Sequence, residues 1–173
     1  MRNRISIITS IFILAGITLF YSCGYKLSGA TIPADMKTVN VQFFENNAPL
    51  VVPNLSQQFT EDLKEKIRTQ SRLSITQGEA HAKFEGRITD YNIKPISIQD
   101  NTKPVAGANR LTITVLVKYT NTINPKQGFE ESFSAFTDFS LAGQSLQSQE
   151  QGLIKKVNTQ LTENIFNRAF QQW

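Results

Sequence analysis

The chain has 173 residues, a formal net charge of +4 at pH 7, one cysteine and one histidine. This length fits a single domain with its own core, and a lone cysteine excludes an internal disulfide framework. No block of like charges occurs, so the sequence does not favour a nucleic-acid-binding surface.

The first 22 residues have the features of a secretory signal peptide. Arg2 and Arg4 precede an apolar run over residues 5–21, and a small residue follows it. The only cysteine, Cys23, comes directly after this run, which indicates a lipoprotein signal at residues 1–22 that is cleaved before an acylated Cys23. An uncleaved membrane anchor with an incidental cysteine, or an ordinary cleaved signal, are the alternatives.

The residues before Cys23 match the usual lipoprotein cleavage motif only in part. Phe20 and Tyr21 occupy the positions where Leu and a small residue are usual, Leu19 lies one position too early, and Ser22 fits. Two or more acyl chains would hold the protein stably on a membrane, since each buried methylene contributes about 0.8 kcal/mol.

Cleavage would leave 151 residues with a net charge of +2, because Arg2 and Arg4 leave with the signal. Residues 23–36 contain Gly and Pro without a period, so we expect a lipidated tether there. Residues 37–173 are then expected to form a single domain.

The first half of this domain predicts a strand and a helix. Alternation of apolar and polar residues over 37–44 is typical of a half-buried strand. The helix is expected to begin at Asn54, whose side chain would form a capping box with Gln57, and a short strand follows at 72–76. The apolar stripe of this helix consists of Leu55, Phe59, Leu63 and Ile67.

A long β segment is predicted over residues 82–98. Its apolar residues change parity near the middle, and a one-residue shift exchanges the two faces of a strand, so we expect a bulge near Asp90. Pro95 indicates that the far end lies at an edge or leaves the sheet. Residues 99–109 are predicted to form a loop.

The second half predicts a β-hairpin followed by a helix. Residues 110–121 show the clearest alternation, 124–128 form a turn, and 129–139 return. The last helix is expected to start at Ser145 or Ser148. Its apolar stripe consists of Ile154, Val157, Leu161, Ile165 and Ala169.

This order of elements predicts an α+β fold, a two-layer sandwich with two amphipathic helices on one face of a mixed four-to-five-stranded sheet. The first strand and the strand after the first helix are expected to pair in parallel through a right-handed crossover. The other face of the sheet carries Leu116 and Phe136 among polar residues, so it is either open to water or meets a partner. Trp173 is expected to pack behind the last helix rather than at a lipid interface.

The sequence shows no catalytic constellation and no cofactor or metal motif. His81 is the only histidine, which we interpret as a surface imidazole, and the glycines are too scattered for a phosphate loop. We therefore expect no enzyme activity. The alternative is a hydrolase whose catalytic carboxylates are distant in sequence and come together only in the folded protein.

Four cations lie on or beside the long predicted strands, and they are the candidate binding residues: Arg87, Lys94, Arg110 and Lys118. Arg and Lys pair well with phosphate, so they could bind a phosphate on a glycolipid. The alternative for each is ordinary charge on a sheet surface.

Short motifs spread over the chain resemble one known family: Cys23-Gly24-Tyr25, Asn46-Asn47-Ala48-Pro49, Leu55-Ser56-Gln57-Gln58-Phe59-Thr60, Phe84-Glu85-Gly86, Asn109-Arg110-Leu111-Thr112-Ile113-Thr114-Val115 and Phe136-Thr137-Asp138-Phe139. Together with the order of elements, these motifs resemble the LptE family of lipopolysaccharide-assembly lipoproteins. The resemblance covers nearly the whole chain after Cys23.

The resemblance implies a lipid-anchored protein on the periplasmic side of the outer membrane. Such proteins plug and help assemble LptD, a β-barrel that delivers lipopolysaccharide to the outer leaflet, and they are thought to contact lipopolysaccharide. Gly24, which follows the cysteine, agrees with outer-membrane sorting. Among the four cations, Arg110 is the first candidate for lipopolysaccharide and Lys118 the second. The alternative is an accessory or pilot lipoprotein of another envelope transport or secretion machine.

Overall fold

The computed structural model describes residues 32–98 and 105–171. Cys23 and Trp173, and with them the signal peptide, most of the tether and the predicted packing of the tryptophan, lie outside this part of the chain. The helices are α1 (Leu55–Gln70) and α2 (Leu146–Phe170). The strands are β1 (Thr38–Val41), β2 (Glu45–Asn46), β3 (Ser74–Ile75), β4 (Ala82–Ile98), β5 (Val105–Asn121) and β6 (Phe129–Ser140), with a short 3-10 helix at Pro125–Gln127 between the last two.

The strands form one mixed sheet in the order β3-β1-β4-β5-β6, and β2 pairs with β4 beyond the end of β1. β1 runs parallel to both β3 and β4, whereas β4, β5 and β6 form an antiparallel meander. The predicted α+β fold and the parallel pairing of the first strand are therefore confirmed. The described sheet has six strands rather than four or five, because the two-residue strand β2 was not expected from the sequence.

The irregularities of β4 follow the prediction closely. A register shift between Ile88 and Asp90 confirms the expected bulge. Pro95 stays inside β4, paired with β5, and beyond Ile88 the described chain offers β4 no second neighbour, so Pro95 lies at an edge as expected. The predicted loop over 99–109 was wrong at its end, since β5 already begins at Val105.

The two helices begin in different ways. Ser145 caps α2, because its hydroxyl oxygen accepts a hydrogen bond from the backbone N–H of Ser148 at 3.2 Å. The capping box predicted for α1 was wrong. Asn54 has a φ of 64°, in the left-handed region, and its side chain makes no capping hydrogen bond. Its carbonyl instead accepts the first helical bond, from the N–H of Gln58 at 2.9 Å.

Both helices pack on one face of the sheet, and the predicted apolar stripes are buried there. An aromatic cluster closes one end of this core, with ring centroids 4.9 Å apart for Phe84 and Tyr119 and 5.8 Å apart for Tyr119 and Phe170. Burial of apolar side chains is the main stabilising contribution to such a fold. The opposite face of the sheet carries no described helix and is available for other contacts.

Candidate binding face of the sheet

The side chains of β4, β5 and β6 that point away from the helices form a surface that we call the helix-free face. Its residues on β4 are Lys83, Glu85, Arg87, Asp90, Asn92 and Lys94; on β5 they are Arg110, Thr112, Thr114, Leu116, Lys118 and Thr120; on β6 they are Glu130, Ser132, Ser134, Phe136 and Asp138. Strand pairing aligns them in rows that cross the sheet, because side chains of directly paired residues share a face.

All four cations singled out in the sequence lie on the helix-free face. They do not form one site, however. Arg110 and Lys118 are eight residues apart on the same strand, which corresponds to about 27 Å, so they cannot hold the same phosphate. Lys94 is paired with Arg110, whereas Arg87 lies one row away from Lys118. The structure thus divides the predicted set into two separate pairs.

The first pair has an ordered aromatic and ionic setting. The Nε and Nη2 groups of Arg110 donate to the two carboxylate oxygens of Asp138 at 2.7 and 2.9 Å. The guanidinium carbon also lies 3.8 Å from the ring centroid of Phe136, whose side chain is 47% exposed. Hydrogen bonding from Arg110 holds the pKa of Asp138 below its usual range. The exposed side chain of Lys94 is the cross-strand neighbour of Arg110.

This arrangement can bind an anion next to an apolar group. Arg110 is held in place before a ligand arrives, so less side-chain entropy is lost on binding. The two positive charges of Lys94 and Arg110 outnumber the single negative charge of Asp138. Phe136 adds an exposed ring beside them. We call Lys94, Arg110, Phe136 and Asp138 the Arg110 cluster.

The second pair lies among acids. Lys118 is flanked in its row by Glu85 on β4 and Glu130 on β6. Arg87, in the next row, is paired with Leu116 and lies beside Glu45 of β2. A shallow hollow is lined by these charged residues, and its acids outnumber its cations. This hollow is therefore a weaker candidate for an anion than the Arg110 cluster, although sequence alone ranked Lys118 second.

His81 does more than the surface role expected from the sequence. Its side chain is half-buried, and its Nδ1 atom accepts from the backbone N–H groups of Lys37 and Thr38 at 3.2 and 3.3 Å. Its backbone carbonyl accepts from the N–H of Thr122 at 2.9 Å. His81, which directly precedes β4, thus contacts the start of β1 through its imidazole and the residue after β5 through its backbone carbonyl. No group of three or more potential metal ligands occurs in residues 32–98 and 105–171.

Comparison with known protein families identifies the chain. The family model LptE, described as lipopolysaccharide-assembly, matches residues 36–169. The chain belongs to this family. The match spans both helices and the whole described sheet, so the resemblance seen in short motifs is confirmed over the folded domain. A search of curated protein sequences found no match.

Several solved structures resemble this family member in fold. The hypothetical protein CT253 from Chlamydia trachomatis has a TM-score of 0.57 at 8% identity, covering 79% of this chain and 99% of that one. Protein XCC0632 from Xanthomonas campestris has a TM-score of 0.55 at 9% identity, covering 82% and 90%. A minor lipoprotein from Acinetobacter baumannii has a TM-score of 0.50 at 13% identity, covering 77% and 91%. At these identities the likeness concerns the fold alone. Neither described helix combines the length and apolar character needed to cross a bilayer.

Proposed function

We propose that this LptE-family protein is an outer-membrane lipoprotein, acylated at Cys23 and held on the periplasmic side. It plugs and helps assemble an LptD-like β-barrel, and it helps deliver lipopolysaccharide to the outer leaflet. The observation that carries this proposal is the lipopolysaccharide-assembly family match over residues 36–169. The activity is non-enzymatic, and it needs no cofactor.

The helix-free face supports the contact with a barrel. Its hydroxyl, amide, charged and aromatic side chains lie along long strands, since β5 contains 17 residues and β6 contains 12. A barrel interior is polar, so a mixed surface of this kind can meet it without burying unpaired charge. The side chains on the face packed against the helices are buried in the core and cannot contact a barrel.

The Arg110 cluster supports contact with lipopolysaccharide, whose phosphates are anionic and whose acyl chains are apolar. Arg110 and Lys94 would bind a phosphate, and Phe136 would contact an adjacent apolar or sugar surface. Lys118 and Arg87 would contribute less, because Glu85 and Glu130 already surround Lys118.

The barrel role is tested by purifying the tagged full-length protein from detergent-solubilised outer membranes. We expect one large partner in equal amount, whose mobility on a gel changes on heating, as expected for a membrane β-barrel. Recovery of the protein alone, or with an inner-membrane or soluble complex, would instead favour an accessory or pilot lipoprotein of another machine. Cys23→Ser should abolish incorporation of a labelled fatty acid into the protein, which tests acylation separately from the contact with the barrel.

The lipopolysaccharide contact is tested separately with the double variant Lys94→Gln and Arg110→Gln. We expect about tenfold weaker binding of purified lipopolysaccharide, with a smaller difference at high salt because ionic contacts are screened there. The matched control is Lys126→Gln with Lys156→Gln, which removes the same charge from exposed positions elsewhere. Equal loss in both double variants would show that net charge, and not the Arg110 cluster, controls binding.

A further inference from the structure

The edges of the described sheet are protected to very different degrees. On one side the terminal strand β3 contains only two residues. The free part of β4 beyond Ile88 is interrupted by two register shifts and by Pro95. Short strands, bulges and proline are devices by which proteins prevent an edge from pairing with another strand.

The outer edge of β6 has none of these devices. β6 is 12 residues long, contains no Pro, Lys or Arg, and pairs with β5 without a register shift. Residues 132–137 in its middle are uncharged. Within residues 32–98 and 105–171 this edge has no partner strand. A long, regular edge of this kind is a template for another strand.

The hydrogen-bond pattern shows which backbone groups of β6 point outwards. The N–H of Thr122, directly after β5, donates to the carbonyl of His81 at 2.9 Å, so even-numbered residues of β5 bond towards β4. Odd-numbered residues of β5 therefore bond to β6, in pairs such as Tyr119 with Phe129. It follows that the even-numbered residues of β6 direct their N–H and C=O groups away from the sheet.

The side chains along this edge are also incompletely covered. Phe136 on the helix-free face is 47% exposed, and Phe129 and Phe133 on the helix side are only partly buried. The helices thus leave apolar surface of β6 in contact with water. An added strand would cover part of this surface and would also pair the outward backbone groups.

We propose that the outer edge of β6 pairs with β6 of a second copy of this chain, antiparallel and about a twofold axis. Every contact in such a dimer is made twice, because the same patch serves both copies. The two helix-free faces lie on the same side of the joined sheet when even-numbered residues oppose even-numbered ones. The proposal concerns the protein outside any complex with a barrel and does not rest on the proposed function.

The charges of β6 select the register of this pairing. Two registers of the required parity overlap the most residues, one centred on Ser134 and one on Ala135. The first would oppose Glu130 to Asp138 on the helix-free face, and like charges directly opposite destabilise a strand pair. The register centred on Ala135 opposes each acid to an uncharged residue: Glu130 to Ser140, Glu131 to Phe139 and Asp138 to Ser132.

The register centred on Ala135 also suits the side chains near the axis. Ala135, the smallest side chain of β6, would lie on the axis on the helix side, where it leaves room for the second copy. On the helix-free face Phe136 would oppose Ser134. The two Phe136 rings would then be diagonal neighbours, about 7 Å apart and within reach of each other.

Sedimentation equilibrium of the full-length protein in density-matched detergent tests the dimer. We expect a reversible equilibrium between monomer and dimer. Ser134→Pro removes an outward N–H but no bond to β5, so it should abolish the dimer and leave the monomer folded. Ser134→Ala is the matched control, because it keeps the N–H and should leave the dissociation constant of the dimer unchanged.

Two substitutions at Ser140 test the register and leave the backbone intact. Ser140→Lys would face Glu130 of the other copy in two symmetric contacts and should tighten the dimer about fivefold, whereas Ser140→Glu should weaken it about fivefold. Both variants lose the serine hydroxyl, so the difference between them reports the charge alone. High salt should bring their dissociation constants together, since it screens exposed charges.

Three results would overturn the proposal. A monomer at every concentration would show that the edge does not pair with itself and is open to a strand of another protein. A dimer that persists in Ser134→Pro, with an unchanged circular dichroism spectrum, would place the contact on another surface. Equal dissociation constants for the two Ser140 variants at low salt would exclude the register centred on Ala135, and this comparison decides alone if Ser134→Pro does not fold.

Discussion

Two arginines of this protein are held by the same chemistry on opposite faces of β6. Arg110 stacks on Phe136 and pairs with Asp138 on the helix-free face. On the other face, Arg168 lies 4.4 Å from the ring centroid of Phe129 and pairs with Glu131 at 2.6 Å. The contacts are alike, yet the elements that they join differ.

This difference separates a structural role from a binding role. Arg168 belongs to α2 and its partners to β6, so its contacts hold a helix against the sheet. Arg110 and its partners lie on neighbouring strands that the backbone already joins through twelve paired residues. The fold does not need the contacts of Arg110 with Phe136 and Asp138. Arg110 is therefore ordered and available to a ligand.

The largest expected effect concerns the face of the sheet that packs against the two helices. A Cβ added at Gly86 would overlap the carbonyl oxygen of Leu116 and lie 2.6 Å from Cε1 of Phe44. We expect Gly86→Ala to lower the free energy of unfolding by about 3 kcal/mol, since a close-packed core cannot accommodate the added atom. Urea unfolding of the full-length protein measures this.

Gly152→Ala is the matched control for this substitution. Gly152 lies in α2, and no atom lies within 4 Å of a Cβ built there. Alanine should therefore stabilise the protein by about 0.5–1 kcal/mol through its better helix propensity. Equal losses at both glycines would contradict the steric account.

The second effect tests the comparison of the two arginines. We expect Arg168→Ala to lower the free energy of unfolding by about 1 kcal/mol, because an ion pair and a ring contact between α2 and β6 are lost, and exposure to solvent limits both. Arg110→Ala should lower the free energy of unfolding by less than Arg168→Ala does, because the backbone already joins the strands that carry Arg110 and its partners, and it should weaken lipopolysaccharide binding. The reverse result, with Arg110 the more important for stability, would remove the proposed distinction.

The smallest effect is the titration of Asp138. Its pKa is lowered in the folded state, so its ion pair contributes to stability above the unfolded pKa, and this contribution is lost as the pH falls through the folded pKa. Arg110→Gln should raise the pKa of Asp138 towards its ordinary value of 3.8. Carboxyl NMR titration measures the shift, with Lys126→Gln as control; an unchanged pKa would show that Arg110 does not hold the carboxylate in solution.

Much of the fold could be predicted from local pattern. Alternation over 110–121 and 129–139 identified the two strands that carry the helix-free face, and a change of parity located the bulge before Asp90. The start of α1 was placed well but its cap was not. The backbone of Asn54 adopts a left-handed conformation, which residue type and spacing alone do not reveal.

The candidate site was predictable only as a set of residues. The sequence identified four cations on strands, and strand parity alone places all four on one face. It could not separate the pair near Asp138 from the pair near Glu130, because those acids come from β6 and meet β5 only through the register of the hairpin.

The sequence by itself determined the elements, the apolar stripes and the family, because periods of 2 and 3.6 residues and short motifs are local properties of the chain. Only the tertiary structure decided which charges meet. Arg110 and Asp138 are 28 residues apart, and Lys37 and His81 are 44 apart. Contacts over such separations follow from strand order and register, which the packing of the whole core selects.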